Sequence, residues 1–280
     1  MMSNTFFKTL IRADELAQQL PAVLLIDASF DLADTGAGEA AHARGHIPGA
    51  HYLHLDRDLS AAKTGLNGRH PLPDRDAFAA TLAGLGLRPG MQVVAYDAQG
   101  GMYAARVWWM LRWLGHANVA VLDGGLQAWP GPLTSEPTAR PARGGFRAGP
   151  SLAGSVSADE LQAQLGKIRL IDARAPERFR GDVEPLDRVA GHIPGASNRL
   201  FKNNLAADGR HFKPAAELRA EFEALLAPHA ATLVVHQCGS GVTACHNLLA
   251  MEHAGLSGSL LYPGSWSEWS ADPARPVAKG

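Results

Sequence analysis

The chain has 280 residues, of which 46% are apolar and 19% are charged, as in globular proteins of one large or two ordinary domains. Its 26 basic and 27 acidic residues give a net charge of -1, which disfavours nucleic acid as the main partner, because phosphate-binding domains usually carry a basic excess. No stretch approaches the roughly 18 consecutive apolar residues of a membrane-spanning helix. The start, MMSNTFFKTLIRADEL, lacks an apolar signal-peptide core. We therefore expect a cytoplasmic protein that contacts no membrane.

The cysteine content excludes two kinds of site. Cys238 and Cys245 are the only cysteines, too few for a disulfide framework and, by themselves, for a tetrahedral metal site. The 12 histidines are scattered without the spacing of metal ligands. We expect no metal, and either cysteine could be a reactive thiol.

An internal repeat organises the chain. Five segments recur in the same order, each displaced by about half the chain. The pairs are residues 12–20 and 157–165, 25–28 and 170–173, 45–50 and 191–196, 92–96 and 232–236, and 124–129 and 264–269. The second pair reads LIDA in both copies and the third reads GHIPGA. Because this period far exceeds the roughly 20 to 50 residues of repeat arrays, it indicates a duplicated domain.

The two copies are separated by a stretch of different composition. Residues 130–154 are crowded with Pro, Gly, Ser and Arg and show no apolar periodicity, which is typical of an extended linker. We predict an N-terminal domain over 1–135, a linker over 136–154 and a C-terminal domain over 155–280.

Helices and strands alternate in the second copy. Ser157 and Glu160 have the spacing of a capping box, which predicts a helix ending near Leu165. Further helices are predicted over 214–226 and over 243–254, the latter stopped by Gly255. Strands are predicted over 167–173, 232–236 and 259–262. This alternation indicates an α/β fold with a parallel sheet flanked by helices in each copy, in which ligands bind beyond the carboxyl ends of the strands.

The most informative segment follows the strand at 232–236. Cys238 is followed by Gly239-Ser240-Gly241-Val242-Thr243 and then by a helix. Glycines allow successive backbone amides to turn inward as an anion-binding nest, and the helix N-terminus adds its positive dipole end. Such surroundings favour the thiolate form of a cysteine and make it a nucleophile. The alternative is a buried structural cysteine.

The first copy carries Asp97 where the second carries Cys238. A carboxylate in an amide nest is a bound anion rather than a sulfur nucleophile. We therefore expect one active copy and one that retained the fold and lost the thiol.

These features together resemble the tandem-domain sulfurtransferases of the rhodanese family. The resemblance covers nearly the whole chain: two GHIPGA segments, a linker, and a cysteine loop in the second copy alone. It implies two rhodanese-like domains. The loop sequence CGSGVT resembles members that use 3-mercaptopyruvate, whereas members that prefer thiosulfate typically carry bulkier, basic residues after the cysteine.

The resemblance also implies a mechanism without a metal or organic cofactor. Cys238 would attack the sulfur of a small-molecule donor and form a persulfide, with pyruvate leaving. The outer sulfur would then pass to an acceptor thiol, such as that of thioredoxin, or to cyanide. The backbone of Gly239, Gly241, Val242 and Thr243 would hold the sulfur anion.

Further site residues follow from the same resemblance. Arg178 matches the family's substrate arginine, and Arg188 lies in the stretch that carries a second one, although this stretch is shorter here. Ser240 would relay protons to His70 and Asp56. The alternatives are that the arginines are solvated surface charges, that Ser240 bonds only within its loop, and that His70 is a turn residue.

Residues present in both copies have structural interpretations. His46 and His192 recur in the GHIPGA segments, so we expect them to support turns. Asp27 and Asp172 end equivalent strands and are expected to accept backbone or arginine donors.

Three rival functions come from the same loop. Thiosulfate could be the natural donor, or the protein could be a non-enzymatic persulfide carrier. A phosphatase would need an arginine closing the loop around phosphate oxygens, and residues 239–245 contain none.

Overall fold

A computed structural model describes residues 6–139 and 141–280, which form two compact units. The first unit contains the chain up to residue 59 together with 73–152 and 207–212. The second contains 60–72, 153–206 and 213–280. A short segment of the first repeat thus belongs to the second unit, and the uninterrupted domains predicted over 1–135 and 155–280 remain a proposal.

A five-stranded parallel sheet forms the centre of the first unit. Its strands are β1 (Leu10–Ile11), β2 (Leu24–Asp27), β3 (Ala50–Tyr52), β4 (Val93–Tyr96) and β5 (Val119–Leu122), in the order β1-β5-β4-β2-β3. The helices are α1 (Ala13–Gln19), α2 (Ala37–Arg44), α3 (Arg75–Gly84) and α4 (Ala104–Trp113), with 3-10 turns at Leu20–Ala22 and Gly125–Ala128. Strands β2, β4 and β5 are buried throughout, as expected of a parallel sheet covered on both faces.

The second unit repeats this arrangement with four parallel strands. These are β6 (Arg169–Asp172), β7 (Ser197–Asn198), β8 (Val234–Gln237) and β9 (Leu260–Leu261), in the order β7-β6-β8-β9. The helices are α5 (Ala158–Gln164), α6 (Pro176–Arg180), α7 (Ala215–Leu226), α8 (Ala244–His253) and α9 (Ser265–Trp269), with 3-10 turns at Phe201–Asn204 and Ala231–Leu233. The order matches β3-β2-β4-β5 of the first unit, and a single bridge between Ser155 and Leu261 takes the place of β1. The α/β fold with a parallel sheet in each copy is confirmed.

Two local predictions need adjustment. The strand predicted over 232–236 begins at Val234, because Ala231–Leu233 forms a 3-10 turn in which the Leu233 side chain is exposed. The sheet register also pairs His236 with Ile171, as it pairs Ala95 with Ile26 in the first copy. His236 and Ala95 are therefore equivalent, one residue away from the match read from sequence.

The capping box at the start of α5 is confirmed. The Glu160 carboxylate accepts from the Ser157 N–H at 2.7 Å, and the Ser157 hydroxyl accepts from the Glu160 N–H at 3.3 Å. Two otherwise unpaired donors are satisfied in this way, which fixes where the helix begins.

The segment between the repeats is bonded to the first unit. Residues 130–139 and 141–152 form no helix, but Gly144 donates its N–H to the Ala83 carbonyl at 2.7 Å and Gly149 donates to Leu114 at 2.8 Å. Phe146 is buried. These bonds tie the extended segment along the surface of the first unit.

The longest described helix, α7, has 12 residues. Within residues 6–139 and 141–280, no helix combines the length and apolarity that crossing a membrane requires.

Candidate active site

Cys238 lies directly after β8 and is almost completely buried, at 2% exposure. Its N–H donates to the Ser265 hydroxyl at 3.1 Å, and Ser265 in turn donates to the Tyr262 carbonyl at 2.9 Å. The Cys238 carbonyl accepts from the Trp266 N–H at 3.0 Å. The backbone of the cysteine is therefore held on both sides by the start of α9.

The loop after Cys238 presents unbonded backbone donors. The N–H groups of Gly239, Ser240, Val242 and Thr243 donate to no acceptor in the described part of the chain. Gly241 makes this path possible, since its φ is +73° and an added Cβ would overlap the Pro263 carbonyl oxygen. With the N-terminus of α8 directly beyond, these donors form a cradle suited to an anion or a sulfur.

Ser240 and His70, two members of the predicted relay, are hydrogen-bonded. The Ser240 Oγ lies 2.7 Å from His70 Nδ1, and both side chains are buried. Asp56, the third member, lies in the first unit, in the turn after β3, where its N–H donates to His54 Nδ1 at 3.2 Å. Its part in the relay stays a prediction.

Arg178 extends from α6 towards the cysteine loop. Its Nη2 donates to Glu184 Oε1 at 2.6 Å and lies 3.4 Å from Asp187 Oδ2. Its Nη1 lies 3.5 Å from the place where a Cβ on Gly239 would be. The predicted substrate arginine therefore reaches the residue that follows Cys238.

A second arginine, which sequence reasoning missed, occupies the same place. Arg69 Nη2 lies 2.7 Å from that Cβ position of Gly239, while Arg69 Nη1 forms an ion pair with Asp187 Oδ1. Burial raises the pKa of Asp187, and the nearby Arg69 opposes this shift. In the sequence, Arg69 is marked only by its position directly before His70. An arginine in a loop is usually solvated.

Arg188 is placed differently. Its side chain is exposed, and it is not among the atoms nearest to Gly239. It lines a surface cavity of about 210 Å³ together with Lys63, Leu66, Arg69, Leu186 and Ser267. A substrate role for Arg188 stays a prediction.

A buried ion-pair network supports Arg178. Arg174 is 3% exposed; it binds Asp172 at 2.7 Å and Glu184 at 3.4 Å, and its guanidinium lies over the Trp266 ring at 4.8 Å. Glu184 therefore joins Arg174 to Arg178. Asp172 accepts arginine donors as expected, whereas no local pattern pointed to Glu184.

The histidines and the aspartate shared by the two copies make structural contacts. His46 and His192 each form a hydrogen bond through Nδ1 with a backbone carbonyl, of His42 and Phe179 respectively, both at 2.8 Å. Asp27 accepts the backbone N–H two residues further on at 2.9 Å. These contacts hold turns, as the sequence led us to expect.

The loop of the first copy is filled by its own carboxylate. Asp97 is fully buried and accepts four backbone N–H groups, those of Gln99, Gly101, Tyr103 and Ala104, at 2.8 to 2.9 Å. Burial raises the Asp97 pKa, and the four amides act in the opposite direction. The Asp97 side chain thus fills its own nest.

Cys245 is a buried free thiol, whose Sγ donates to the Gly241 carbonyl at 3.4 Å. Over the ranges that the structure describes, no three His, Cys, Asp or Glu side chains are grouped so that they could hold a metal ion.

Known proteins share this architecture. The family model of the rhodanese-like domain matches residues 12–131 and again 157–272. A probable 3-mercaptopyruvate sulfurtransferase of Pseudomonas aeruginosa is 50% identical over 97% of this chain and 98% of its own. A putative thiosulfate sulfurtransferase, SseB of Mycobacterium tuberculosis, is 41% identical over 98% of both chains.

A solved structure agrees with these relatives. SseA of Escherichia coli, described among the 3-mercaptopyruvate sulfotransferases, superposes with a TM-score of 0.77 at 32% identity, over 93% of this chain and 99% of its own. The chain therefore belongs to the rhodanese family and carries two copies of its domain.

Proposed function

We propose that the protein is a sulfurtransferase that moves sulfur from 3-mercaptopyruvate, through a persulfide on Cys238, to a thiol acceptor or cyanide. Membership of a family whose named relatives are sulfurtransferases supports the reaction class. One observation carries the choice of donor: the buried hydrogen bond of 2.7 Å between Ser240 and His70 in the loop of the cysteine. A proton relay suits a donor whose leaving group is a carbanion.

The first half-reaction is a nucleophilic attack on sulfur. The Cys238 thiolate forms a bond with the sulfur of 3-mercaptopyruvate, and the carbon–sulfur bond breaks. The bonding electron pair leaves with the carbon as the enolate of pyruvate. The unbonded amides of Gly239, Ser240, Val242 and Thr243 are suited to stabilise negative charge on sulfur before and after this step.

Ser240 and His70 then supply the proton that the leaving group needs. The Ser240 hydroxyl protonates the enolate carbon to give pyruvate, and a doubly protonated His70 returns a proton to the serine oxygen. The transferred sulfur first carries the proton of the donor thiol, and ionisation of the persulfide gives that proton back to His70. Thiosulfate would leave as sulfite, which needs no protonation at carbon. The Ser240–His70 pair therefore serves sulfur transfer from 3-mercaptopyruvate but has no task with thiosulfate.

Arg178 binds the carboxylate of the donor. Its guanidinium is held by Glu184 at 2.6 Å and directed at Gly239, next to the nucleophile. Arginine suits this task because its planar donors match a carboxylate at two points.

The second half-reaction regenerates the enzyme. An acceptor thiolate, such as that of thioredoxin, attacks the outer sulfur of the persulfide, and Cys238 leaves as thiolate; cyanide would give thiocyanate. Both cysteines are free thiols, which fits the reducing cytoplasm that we include in this proposal.

A comparison of donors tests the proposal. The protein and its Cys238→Ser variant are each given 3-mercaptopyruvate or thiosulfate, with cyanide or a dithiol as acceptor, and kcat/KM is measured. We expect at least about a tenfold preference for 3-mercaptopyruvate, corresponding to roughly 1.4 kcal/mol of transition-state stabilisation, and no measurable turnover by the serine variant.

The other outcomes are equally informative. A preference for thiosulfate would overturn the choice of donor and keep Cys238 as the nucleophile. Turnover of neither donor, with a persulfide on Cys238 detected by mass spectrometry, would replace the enzyme by a persulfide carrier.

A further inference from the structure

We infer that Arg69 is a second donor-binding residue, which with Arg178 clamps the carboxylate of the sulfur donor above Gly239. The inference rests on the proposed function, since it names a further residue of the same site. It replaces Arg188, the residue suggested by sequence, with one from a segment 109 residues before Arg178.

The guanidinium groups of Arg69 and Arg178 both lie close to Gly239. Built on Gly239, a Cβ would lie 2.7 Å from Arg69 Nη2 and 3.5 Å from Arg178 Nη1. Arg178 Nη2 is the next atom, at 3.7 Å. The absence of a side chain at Gly239 therefore leaves room for both cations beside the nucleophile.

The converging edges of the two arginines are not used within the protein. Among the residues that the structure describes, Arg69 Nη2 and Arg178 Nη1 donate to no acceptor, and the Nε atoms of both are buried without one. The two side chains are half-buried, at 24% and 17% exposure, and charged donors in such places usually have partners. A carboxylate seated between the two arginines would satisfy them with charge-assisted hydrogen bonds.

The remaining donors hold Arg69 in place. Its N–H donates to the Ser267 hydroxyl at 3.0 Å, and Nη1 pairs with Asp187, which is 6% exposed. Gly68, with φ of +82°, lies so close to Gly264 that a Cβ would be 2.9 Å from its carbonyl oxygen. A side chain fixed in advance loses less entropy on binding its ligand, whereas Arg188 is exposed.

Charge balance gives a second, independent argument. The ion-pair network contains the carboxylates of three residues: Asp172, Glu184 and Asp187. Arg174 and Arg178 supply only two positive charges against them. Arg69 makes the network neutral, and without it the site would repel an anionic donor.

Kinetics with 3-mercaptopyruvate give the first test. The variants are Arg69→Gln, Arg69→Lys and Arg188→Gln, with Arg180→Gln as a matched control, because the exposed Arg180 side chain pairs with Asp182 at the surface. We expect Arg69→Gln to raise KM about 10- to 100-fold, as the loss of a charged hydrogen bond does. kcat should change less than about threefold. Lysine, which keeps the charge and loses the planar fork, should restore part of the affinity.

Alkylation of Cys238 gives a second test that does not depend on the donor. Iodoacetate carries a carboxylate and iodoacetamide is neutral and of similar size, so the ratio of their rates reports carboxylate binding near the thiol. Peptide mass spectrometry distinguishes adducts on Cys238 from those on Cys245. We expect Arg69→Gln to lower this ratio about tenfold or more, with the iodoacetamide rate within about twofold of the unchanged protein.

The two tests separate this inference from the proposed function. If the unchanged protein does not turn over 3-mercaptopyruvate and the ratio still falls in Arg69→Gln, the proposed donor fails and Arg69 stands as a carboxylate-binding residue. If both KM and the ratio stay within about twofold in Arg69→Gln, the inference is overturned. Effects confined to Arg188→Gln would overturn it in favour of the residue suggested by sequence.

Discussion

The loops after β4 and β8 differ in whether their backbone N–H groups have an acceptor within the protein. In the first copy, four amides donate to Asp97, and the nest contains its own anion. In the second, the amides of Gly239, Ser240, Val242 and Thr243 have no acceptor in the described chain. A cradle that is internally satisfied stabilises a fold, whereas one that is left open binds a ligand.

The open loop has a cost in stability. Backbone donors without a partner in the fold contribute nothing to folding, and a buried one lowers stability by about 1–3 kcal/mol. In the proposed reaction those donors stabilise the charge on the Cys238 sulfur, which is why the fold does not use their hydrogen bonds. On the proposed function, the closed Asp97 loop serves stability and the open Cys238 loop serves sulfur transfer.

Replacement of the nucleophile is the most severe test of this division. Cys238→Ser should lower kcat/KM with 3-mercaptopyruvate by at least about 1,000-fold, because a hydroxyl cannot form the persulfide. The variant should fold normally, which circular dichroism checks. Substantial remaining activity would mean that another group of the chain accepts the sulfur.

Removal of the first copy's anion should act on stability instead. Asp97→Ala leaves four N–H groups without their acceptor, three of them buried, and we expect the free energy of unfolding to fall by about 3 kcal/mol or more. Cys238→Ala is the matched control and should cost less than half as much. Urea unfolding of both variants measures the difference. Equal losses would show that the two loops do not differ in how they contribute to folding.

The proposed relay is a further difference between the two loops, because the first loop has no serine at the matching position. Ser240→Ala and His70→Gln should each lower kcat with 3-mercaptopyruvate about 10- to 100-fold. The double variant should lose little more than either single one, since the two groups act as one unit. Turnover of thiosulfate should change less than about threefold. Multiplicative losses in the double variant would separate the roles of the two residues.

The strands that lead to the two loops differ in one titratable group. His236 is fully buried where the first copy has Ala95, and burial lowers its pKa to about 3. The folded state therefore keeps it neutral while the unfolded state binds a proton below about pH 6.5. Stability should then decrease as the pH falls from about 6.5 towards 3, by at most about 1.4 kcal/mol per unit from this group.

Titration of the imidazole by NMR checks this expectation. In the folded protein the His236 resonances should not move between pH 5 and 8, whereas in the protein unfolded by urea they should move with a midpoint near 6.5. A midpoint near 6.5 for His236 in the folded protein would contradict the burial argument.

Local signals predicted more of the molecule than long-range ones did. The capping box at Ser157 and the strand, cysteine and glycine order around Cys238 are properties of neighbouring residues, and the chain itself reveals them. Arg69 pairs with Asp187 across 118 positions, and Glu184 joins two arginines of different environment. No periodicity or motif records such pairings, because they depend on how loops pack rather than on what each loop contains.

The segment 60–72 comes from the first repeat and belongs to the second compact unit. That unit also holds Cys238, and the segment carries His70 and Arg69. A shortened gene that encoded residues 153–280 alone would keep the thiol and lose both of these partners. We therefore expect that neither half can replace the whole chain in a cell that depends on it.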